Sequence, residues 1–302
     1  MRGFNRLQST MLTGTEAVVT LVVALAFLLI GSHSFAFAQP VPPPSDSEAD
    51  ETLAGREYDP TNSLTQIQIK DIYTPAEYGS NAQANTIQVR PIFAISPSAL
   101  IPFAQRIRPT FKIVTAPLGK GASTITGYGD MQLLDLVLVG WPDSRETAFR
   151  WGIGPYFVFP TSTIRQSGRG AWQMGPAVGF AYRGIPKLKV AGLMQQATSF
   201  AYTSSHSAPV TSISFQPIIS YQLERGWYLK SSDATWRFNL RHNTSTTMPL
   251  SAGAGKVWQL AQGYALDTSV SGEWMIYRQF SNRSAQFTLN FQVALLFPKS
   301  KF

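Results

Sequence analysis

The stretch Ala171–Tyr182, AWQMGPAVGFAY, alternates large and small side chains. Trp172, Met174, Pro176, Val178, Phe180 and Tyr182 form one set, and Ala171, Gln173, Gly175, Ala177, Gly179 and Ala181 the other. A period of two is the side-chain period of a β-strand. A strand between an apolar core and water pairs bulky apolar residues with polar ones. Here the second face is nearly bare backbone. That combination suits a strand whose bulky face meets lipid and whose other face lines a confined interior.

The same period recurs along the chain. It predicts strands over 64–72, 84–95, 103–115, 127–140, 148–160, 170–182, 187–198, 210–223, 226–240, 246–260, 263–279 and 284–297. In 210–223, Ile213, Phe215, Pro217, Ile219 and Tyr221 oppose Ser212, Ser214, Gln216, Ser220 and Gln222. Segment 127–140 is apolar on both faces except for Asp130, Gln132 and Asp135. Ser231-Ser232-Asp233 interrupts segment 226–240, which reads as one strand or two short ones. A soluble sandwich also alternates, so the connections matter more. Those near 96–102, 142–147, 184–186, 224–225 and 261–263 are short, whereas those near 73–83, 117–126, 161–170 and 199–209 are longer and polar. Short turns alternating with longer loops are the pattern of an outer-membrane barrel. The expected fold is therefore all-β: a transmembrane antiparallel β-barrel of about 12 strands with up-and-down topology.

Composition agrees. Hydrophobic residues make up 44% of the 302, charged residues only 14%, and aromatics 12%. The absence of cysteine excludes disulfides, zinc–thiolate sites and thiol nucleophiles. Arg2 and Arg6 precede the apolar run Ala17–Ile30, and Ala36-Phe37-Ala38 supplies a small-x-small cleavage pattern. That run is shorter than the roughly 20 residues a membrane-anchoring helix needs. Residues 1–38 therefore read as a cleaved signal peptide of a Gram-negative outer-membrane protein. Residues 39–63, rich in proline and acids, read as a flexible periplasmic leader, and 64–302 as the barrel. The formal charge is +8; residues 1–38 carry two Arg and one Glu, and residues 39–63 carry six acids and one Arg, which leaves about +12 on the barrel. The basic residues are spread over strands rather than patched, which argues against a nucleic-acid partner.

Two features bear on the wall. Trp141, Trp227, Tyr228, Trp258, Tyr264 and Tyr277 fall near segment ends, where aromatic girdles form. Pro91, Pro109, Pro155, Pro176 and Pro217 fall mid-strand on the lipid-facing parity. Proline cannot donate to the ladder and a closed barrel has no edges, so bulges are the expected accommodation.

Six stretches resemble, in this order, a family of bacterial outer-membrane barrels. They are TQIQIKDIYTPAEYG (65–79), GYGDMQLLDL (127–136), WGIGPYFVFPT (151–161), WQMGPAVGFAYRGIP (172–186), SFQPIISYQLERGWYLKSSDATW (214–236) and MPLSAGAGKVWQL (248–260). The family is described as transporters of the phenol-degradation meta-pathway type, and its members often carry the mistaken label neuromedin U. The resemblance implies a barrel that passes small compounds, aromatic or apolar ones among them. It brings no catalytic residue, and the mid-strand prolines recur in it.

Candidate chemistry is sparse. His206 and His242 lie in predicted loops, where a Ser-His hydrolase would need a nearby serine and an orienting group; two solvated histidines are the plainer reading. GKGAST (119–124) lacks P-loop spacing. No catalytic, cofactor or metal site is expected. Strand parity instead points Lys70, Arg90, Arg106, Arg108, Lys112, Arg150 and Arg237 inward, with Asp267 and Glu273 on a later strand. Cationic side chains in a lumen select for anions; alternatively they pair with the acids and fill the interior, or bind lipopolysaccharide phosphates. The expected function is a passive pore for small solutes, not an enzyme. A structural or surface-recognition barrel with a plugged lumen is the second reading, and a barrel hydrolase the third. Expected partners are small solutes, outer-membrane lipid and lipopolysaccharide, and the barrel-assembly machinery, which the aromatic Phe302 would address.

Overall fold

The computed structural model describes residues 60–61, 64–79, 82–99, 102–118, 123–138, 148–203, 207–241, 245–260, 263–279 and 284–297. Its strands are β1 (Gln66–Glu77), β2 (Ala84–Ile95), β3 (Ala104–Pro117), β4 (Thr124–Tyr128), β5 (Met131–Leu138), β6 (Phe149–Phe159) and β7 (Ala171–Ile185). They continue as β8 (Leu188–Tyr202), β9 (Thr211–Gln222), β10 (Trp227–Ser231), β11 (Trp236–Asn239), β12 (Ser245–Gln259), β13 (Ala265–Gln279) and β14 (Ala285–Leu296). β4 and β5 both pair with β3, and β10 and β11 both lie between β9 and β12. Each of these two pairs is one wall position interrupted midway. β1 pairs with β14 from Gln66↔Leu296 to Glu77↔Ala285, which closes the ring. The chain is a closed 12-stranded antiparallel β-barrel.

Closure gives the strands on the ring a neighbour on each side, whereas β4 pairs with β3 alone and meets the 160–170 connection on its other side. The alternation in Ala171–Tyr182 then sorts cleanly. Trp172 and Met174 are exposed on the outer face, while Ala171, Ala177 and Ala181 are 0–1% exposed on the inner one. Outward rings stack along the rims: Phe159 edge-on to Trp172 at 5.6 Å, and Tyr264 edge-on to Phe297 at 5.8 Å. Outward-facing Lys256 lies 4.0 Å from the Trp258 ring centroid and 5.2 Å from that of Trp227. One expected girdle residue is misplaced. Tyr228 is fully buried inside, with its hydroxyl donating to Asp267 at 2.7 Å. Its neighbour Trp227 takes the outward position, so parity turns Tyr228 inward. Trp141 lies outside the described residues.

The five prolines expected to need bulges show lapses in pairing instead, whereas register shifts accompany Pro75 on β1 and Pro249 on β12. On β2 and β3 pairing stops at Val89↔Phe111 and resumes at Phe93↔Ile107, with Pro91 and Pro109 in between. Between β5 and β6 it skips from Leu134↔Tyr156 to Val137↔Ile153, beside Pro155. Between β7 and β8 it skips from Met174↔Thr198 to Ala177↔Gln195, beside Pro176. The register is the same on both sides of each lapse, so no residue is inserted. Pro217 pairs with Gly192 on one side and faces the β10–β11 interruption on the other. There the Gln216 amide nitrogen donates to the Ser232 carbonyl at 2.5 Å, a side-chain substitute for the missing ladder bond.

The other interruption, between β4 and β5, holds an outer connection. The Asp130 carboxylate accepts the Ser162 N–H at 3.3 Å and the Arg169 N–H at 2.8 Å. Thr163 Oγ1 accepts the Tyr128 N–H at 2.9 Å. A Cβ on Gly127 would sit 2.6 Å from Thr163 Oγ1, so glycine there lets the connection 160–170 close onto the wall. The strands also run further than expected into the other outer connections, leaving 78–83, 118–123 and 203–210 between them.

Gly154 tests the tightness of the wall at a lapse, because a Cβ there would lie 1.8 Å from the Asp135 carbonyl oxygen. Gly154→Val should cost at least about 1–3 kcal/mol through overpacking. The expected readout is a reduced fraction of the fast-migrating folded form on unboiled gels, with the outward Val178→Ala unaffected.

Candidate functional site

The interior has two kinds of wall. β1, β2, β3, β13 and β14 turn Gln66, Gln68, Lys70, Gln88, Arg106, Thr110, Asp267, Ser269, Ser271, Thr288, Asn290 and Gln292 inward, all buried. β5 to β8 instead present a cluster of Leu134, Leu136, Tyr156, Val158, Ala177, Leu193 and Ala197. β5 is apolar on both faces for this reason: one face meets the exterior and the other the apolar side of the lumen. The two walls meet at a cavity of about 40 Å³ lined by Arg90, Arg106, Arg108, Leu193, Ile218 and Gln216, among others. That is room for only a few waters.

The polar wall is organised around Asp233. The interruption between β10 and β11 bends inward, leaving Ser232, Asp233 and Ala234 at 8% exposure or less. Asp233 Oδ1 accepts from Lys70 Nζ at 2.7 Å; Oδ2 pairs with Lys230 Nζ at 2.8 Å and accepts the Ser271 hydroxyl at 2.6 Å. Lys230 also donates to Ser269 Oγ at 2.9 Å. Ser251 Oγ accepts the N–H groups of Asp233 and Ala234 at 3.3 and 3.2 Å. A carboxylate between two ammonium groups, with further hydrogen bonds to Asp233 from Ser271 and from Lys230 to Ser269, is the arrangement a buried ion needs.

The other acids have separate partners. Asp267 is held by Tyr228, and Glu273 accepts from the Asn290 amide at 2.7 Å. Arg90 bonds Gln88 through a terminal nitrogen, yet its Nε, like that of Arg108, is buried without an acceptor. Lys112 lies within electrostatic range of Arg237, Arg90 and Arg108. Arg150 shares the inward register, opposite the fully buried Ala181. The structure therefore gathers Arg90, Arg106 and Arg108 at one cavity and ties Lys70 into the Asp233 network, with Glu273 within electrostatic range of Lys70.

Sequence reasoning missed Lys189, Lys230 and Asp233, all buried inside. Parity on β8 marks Lys189. The interruption at Ser231–Asp233 hid the other two, since alternation could not be carried through it. His206 and His242 lie outside the described residues, and among those described no three His, Asp or Glu side chains converge on a metal-sized site.

The chain also enters the lumen ahead of β1. Pro60 lines the arginine cavity, and Thr61 is 2% exposed. Gly179 makes room for this segment, because a Cβ there would sit 3.2 Å from Pro60 Cβ. Leu64 then packs with Tyr228, Val257, Ala265 and Leu296. Thr65 fastens the chain to both neighbouring strands: its carbonyl accepts the Phe297 N–H at 3.0 Å and its hydroxyl the Ala94 N–H at 3.2 Å.

No family model and no curated protein matches this sequence. Solved structures do. The COG4313 outer membrane channel from Pseudomonas putida F1 superposes with a TM-score of 0.56 at 14% identity, over 80% of this chain and 98% of that one. The chain has the fold of an outer-membrane channel. The NanC porin matches over 76% of this chain and 98% of its own at 8% identity, but its TM-score of 0.46 carries no further weight.

The Asp233 network gives a direct stability test. Asp233→Ala would remove the carboxylate that Lys70 and Lys230 share, and removing one partner of a buried ion pair costs about 3–5 kcal/mol. Urea unfolding of the refolded barrel should show that loss. An equal midpoint for the variant and the parent would mean the network carries no such weight.

Proposed function

We propose that the protein is a passive outer-membrane channel for small amphiphilic anions, solutes with a carboxylate on an apolar or aromatic body. The observation that carries this reading is the two-sided lumen. Arg90, Arg106 and Arg108 share one cavity with Leu193 and Ile218. Cationic groups within low-dielectric walls raise the local concentration of anions. The apolar side accepts the body of the solute, which a uniformly charged lumen would exclude. The fold of the Pseudomonas putida channel supports the placement in a Gram-negative outer membrane, and residues 1–38 would supply the export signal. No energy source is built into such a barrel, so net flux follows the solute gradient.

The inward positions of Lys112, Arg150 and Arg237 extend a basic path away from the cavity. Lys70, tied to Asp233 at 2.7 Å, serves the wall instead, and Asp267 and Glu273 serve as internal hydrogen-bond acceptors. Lipid and lipopolysaccharide would contact the outer face, where Trp227, Trp258 and Lys256 form a mixed aromatic and cationic cluster.

Solute uptake into liposomes tests the reading. Benzoate should enter faster than benzyl alcohol, and benzylammonium slowest. Arg90→Gln with Arg108→Gln should reduce the benzoate preference several-fold, and the reversal potential in planar bilayers should shift away from anions. An absence of solute entry and of ionic current would remove the proposal.

A further inference from the structure

We propose that Lys256 and its two flanking indoles form a site on the outer wall for the phosphate of an anionic phospholipid in the periplasmic leaflet, a reading that rests on the outer-membrane placement above and not on the anion pathway through the lumen. On β1, β2, β3, β6, β8, β10 and β11 every Lys and Arg takes the inward register. Lys189 and Lys230, for example, both oppose the buried Ser220. Lys256 on β12 departs from this rule. It pairs with the exposed Trp227 on one side and with Thr268 on the other, so its side chain leaves the wall on the bulky, lipid-facing side.

The ammonium group is placed but not neutralised there. It lies 4.0 Å from the Trp258 ring centroid and 5.2 Å from that of Trp227. Among the described residues no carboxylate forms an ion pair with it. Cation–π attraction orients a cation and leaves its charge in place for an anion. A lysine meets a phosphate as a compact point charge.

The turns fix the level of the site. Trp227 follows the turn 224–226 directly, and Trp258 is the penultimate residue of β12. Both stand at the short-turn rim, which is the periplasmic one in an outer-membrane barrel. Aromatic side chains at that depth lie level with the lipid headgroups. Lipopolysaccharide occupies the opposite leaflet, so a phospholipid is the occupant within reach.

Further positive charge gathers beside Lys256. Arg225 and Lys187 are exposed in two adjacent turns. Gly226, at φ 78°, lets the first turn close onto β12, because a Cβ there would lie 2.5 Å from the Val257 carbonyl oxygen. The Lys187 carbonyl accepts the Gln222 N–H at 2.7 Å, which sets the second turn next to the first. Across residues 182–190, 219–230 and 254–260 the only acid is Glu224, and the turn 96–102 on the same rim has no charged residue. Basic clusters at a membrane surface attract anionic lipid. Tyr221, Leu223 and Leu229, all exposed near Trp227, offer an apolar face to the acyl chains.

Native mass spectrometry of the refolded full chain tests the site. From micelles holding equal phosphatidylglycerol and phosphatidylcholine with the same acyl chains, the parent should retain phosphatidylglycerol about five-fold more. Lys256→Gln should abolish most of that preference, Trp258→Leu should weaken it, and Lys256→Arg should keep it, each in the fast-migrating folded form on unboiled gels. Equal retention of the two lipids by the parent, or an unchanged preference in both Lys256→Gln and Trp258→Leu, would overturn the site. A preference for lipopolysaccharide over phosphatidylglycerol that Lys256→Gln removes would overturn it too, since the site would then face the outer leaflet. Flotation with vesicles separates the site from the membrane placement. A chain that does not float fails the placement, whereas one that floats without lipid preference fails the site alone. Phosphatidylglycerol held by a barrel that passes no solute would sustain the site and remove only the channel.

Discussion

The structure depends on one constraint: in hydrocarbon, every backbone N–H and C=O must find its partner within the protein. A sheet meets that constraint only by closing, and β1 paired to β14 closes this one. Once the ring exists, parity divides every strand into an outer and an inner residue set. Trp172 and Met174 become exterior because Ala171 and Gln173 become interior, and the same logic runs around all the strands. The small inner residues of β7 follow from what the interior must hold. Gly179 faces Leu136 and Pro60 at close range, so a larger residue there would meet filled space.

The prolines show how far the constraint can be relaxed. Each mid-strand proline removes a donor, and a bulge would have restored pairing one residue on while flipping the faces that follow. At Pro91, Pro109, Pro155 and Pro176 the wall instead lets pairing lapse and resumes it in the same register. Face assignment is preserved at the cost of a few ladder bonds. At Pro217 the lapse coincides with the interruption between β10 and β11, and that interruption delivers Asp233 to the middle of the lumen. A local loss in the wall thus creates the acid that organises the polar half of the interior.

Much of this was legible in the sequence. The segment 84–95 is β2 to the residue, and 226–240, which reads as one strand or two, is two, parted at the Ser-Ser-Asp interruption. Period two over a bare second face is a strong signal because helices cannot produce it. The same alternation put forward the nine lumen candidates, of which Lys70, Arg106 and Asp267 are buried. Other features were not legible, for physical reasons. Bulges and lapses cost similar amounts of pairing, so proline alone does not say which will occur. Tyr228 looked like a girdle residue because strand ends and faces are independent, and only the outward Trp227 beside it decides its face. Lys230 and Asp233 flank a break in alternation, where parity has no meaning. Pro60 sits in a stretch whose composition gives it no hydrophobic reason to be inside. What seats it is the matching absence of a side chain at Gly179, far away in sequence.

In the proposed function the two-sided lumen links fold to solute choice, since charged and apolar walls facing one cavity would suit solutes with both characters. That account stands on the sorting of faces in a closed ring, and the sorting can be measured on β7 itself. Single cysteines introduced along residues 171–182 can be labelled with a small fluorophore in lipid vesicles and challenged with acyl-chain quenchers. Positions 172, 174, 178, 180 and 182 should be quenched strongly, and 171, 173, 177 and 181 weakly. Uniform quenching, or strong quenching at the small-residue positions, would contradict a barrel whose bulky face meets lipid.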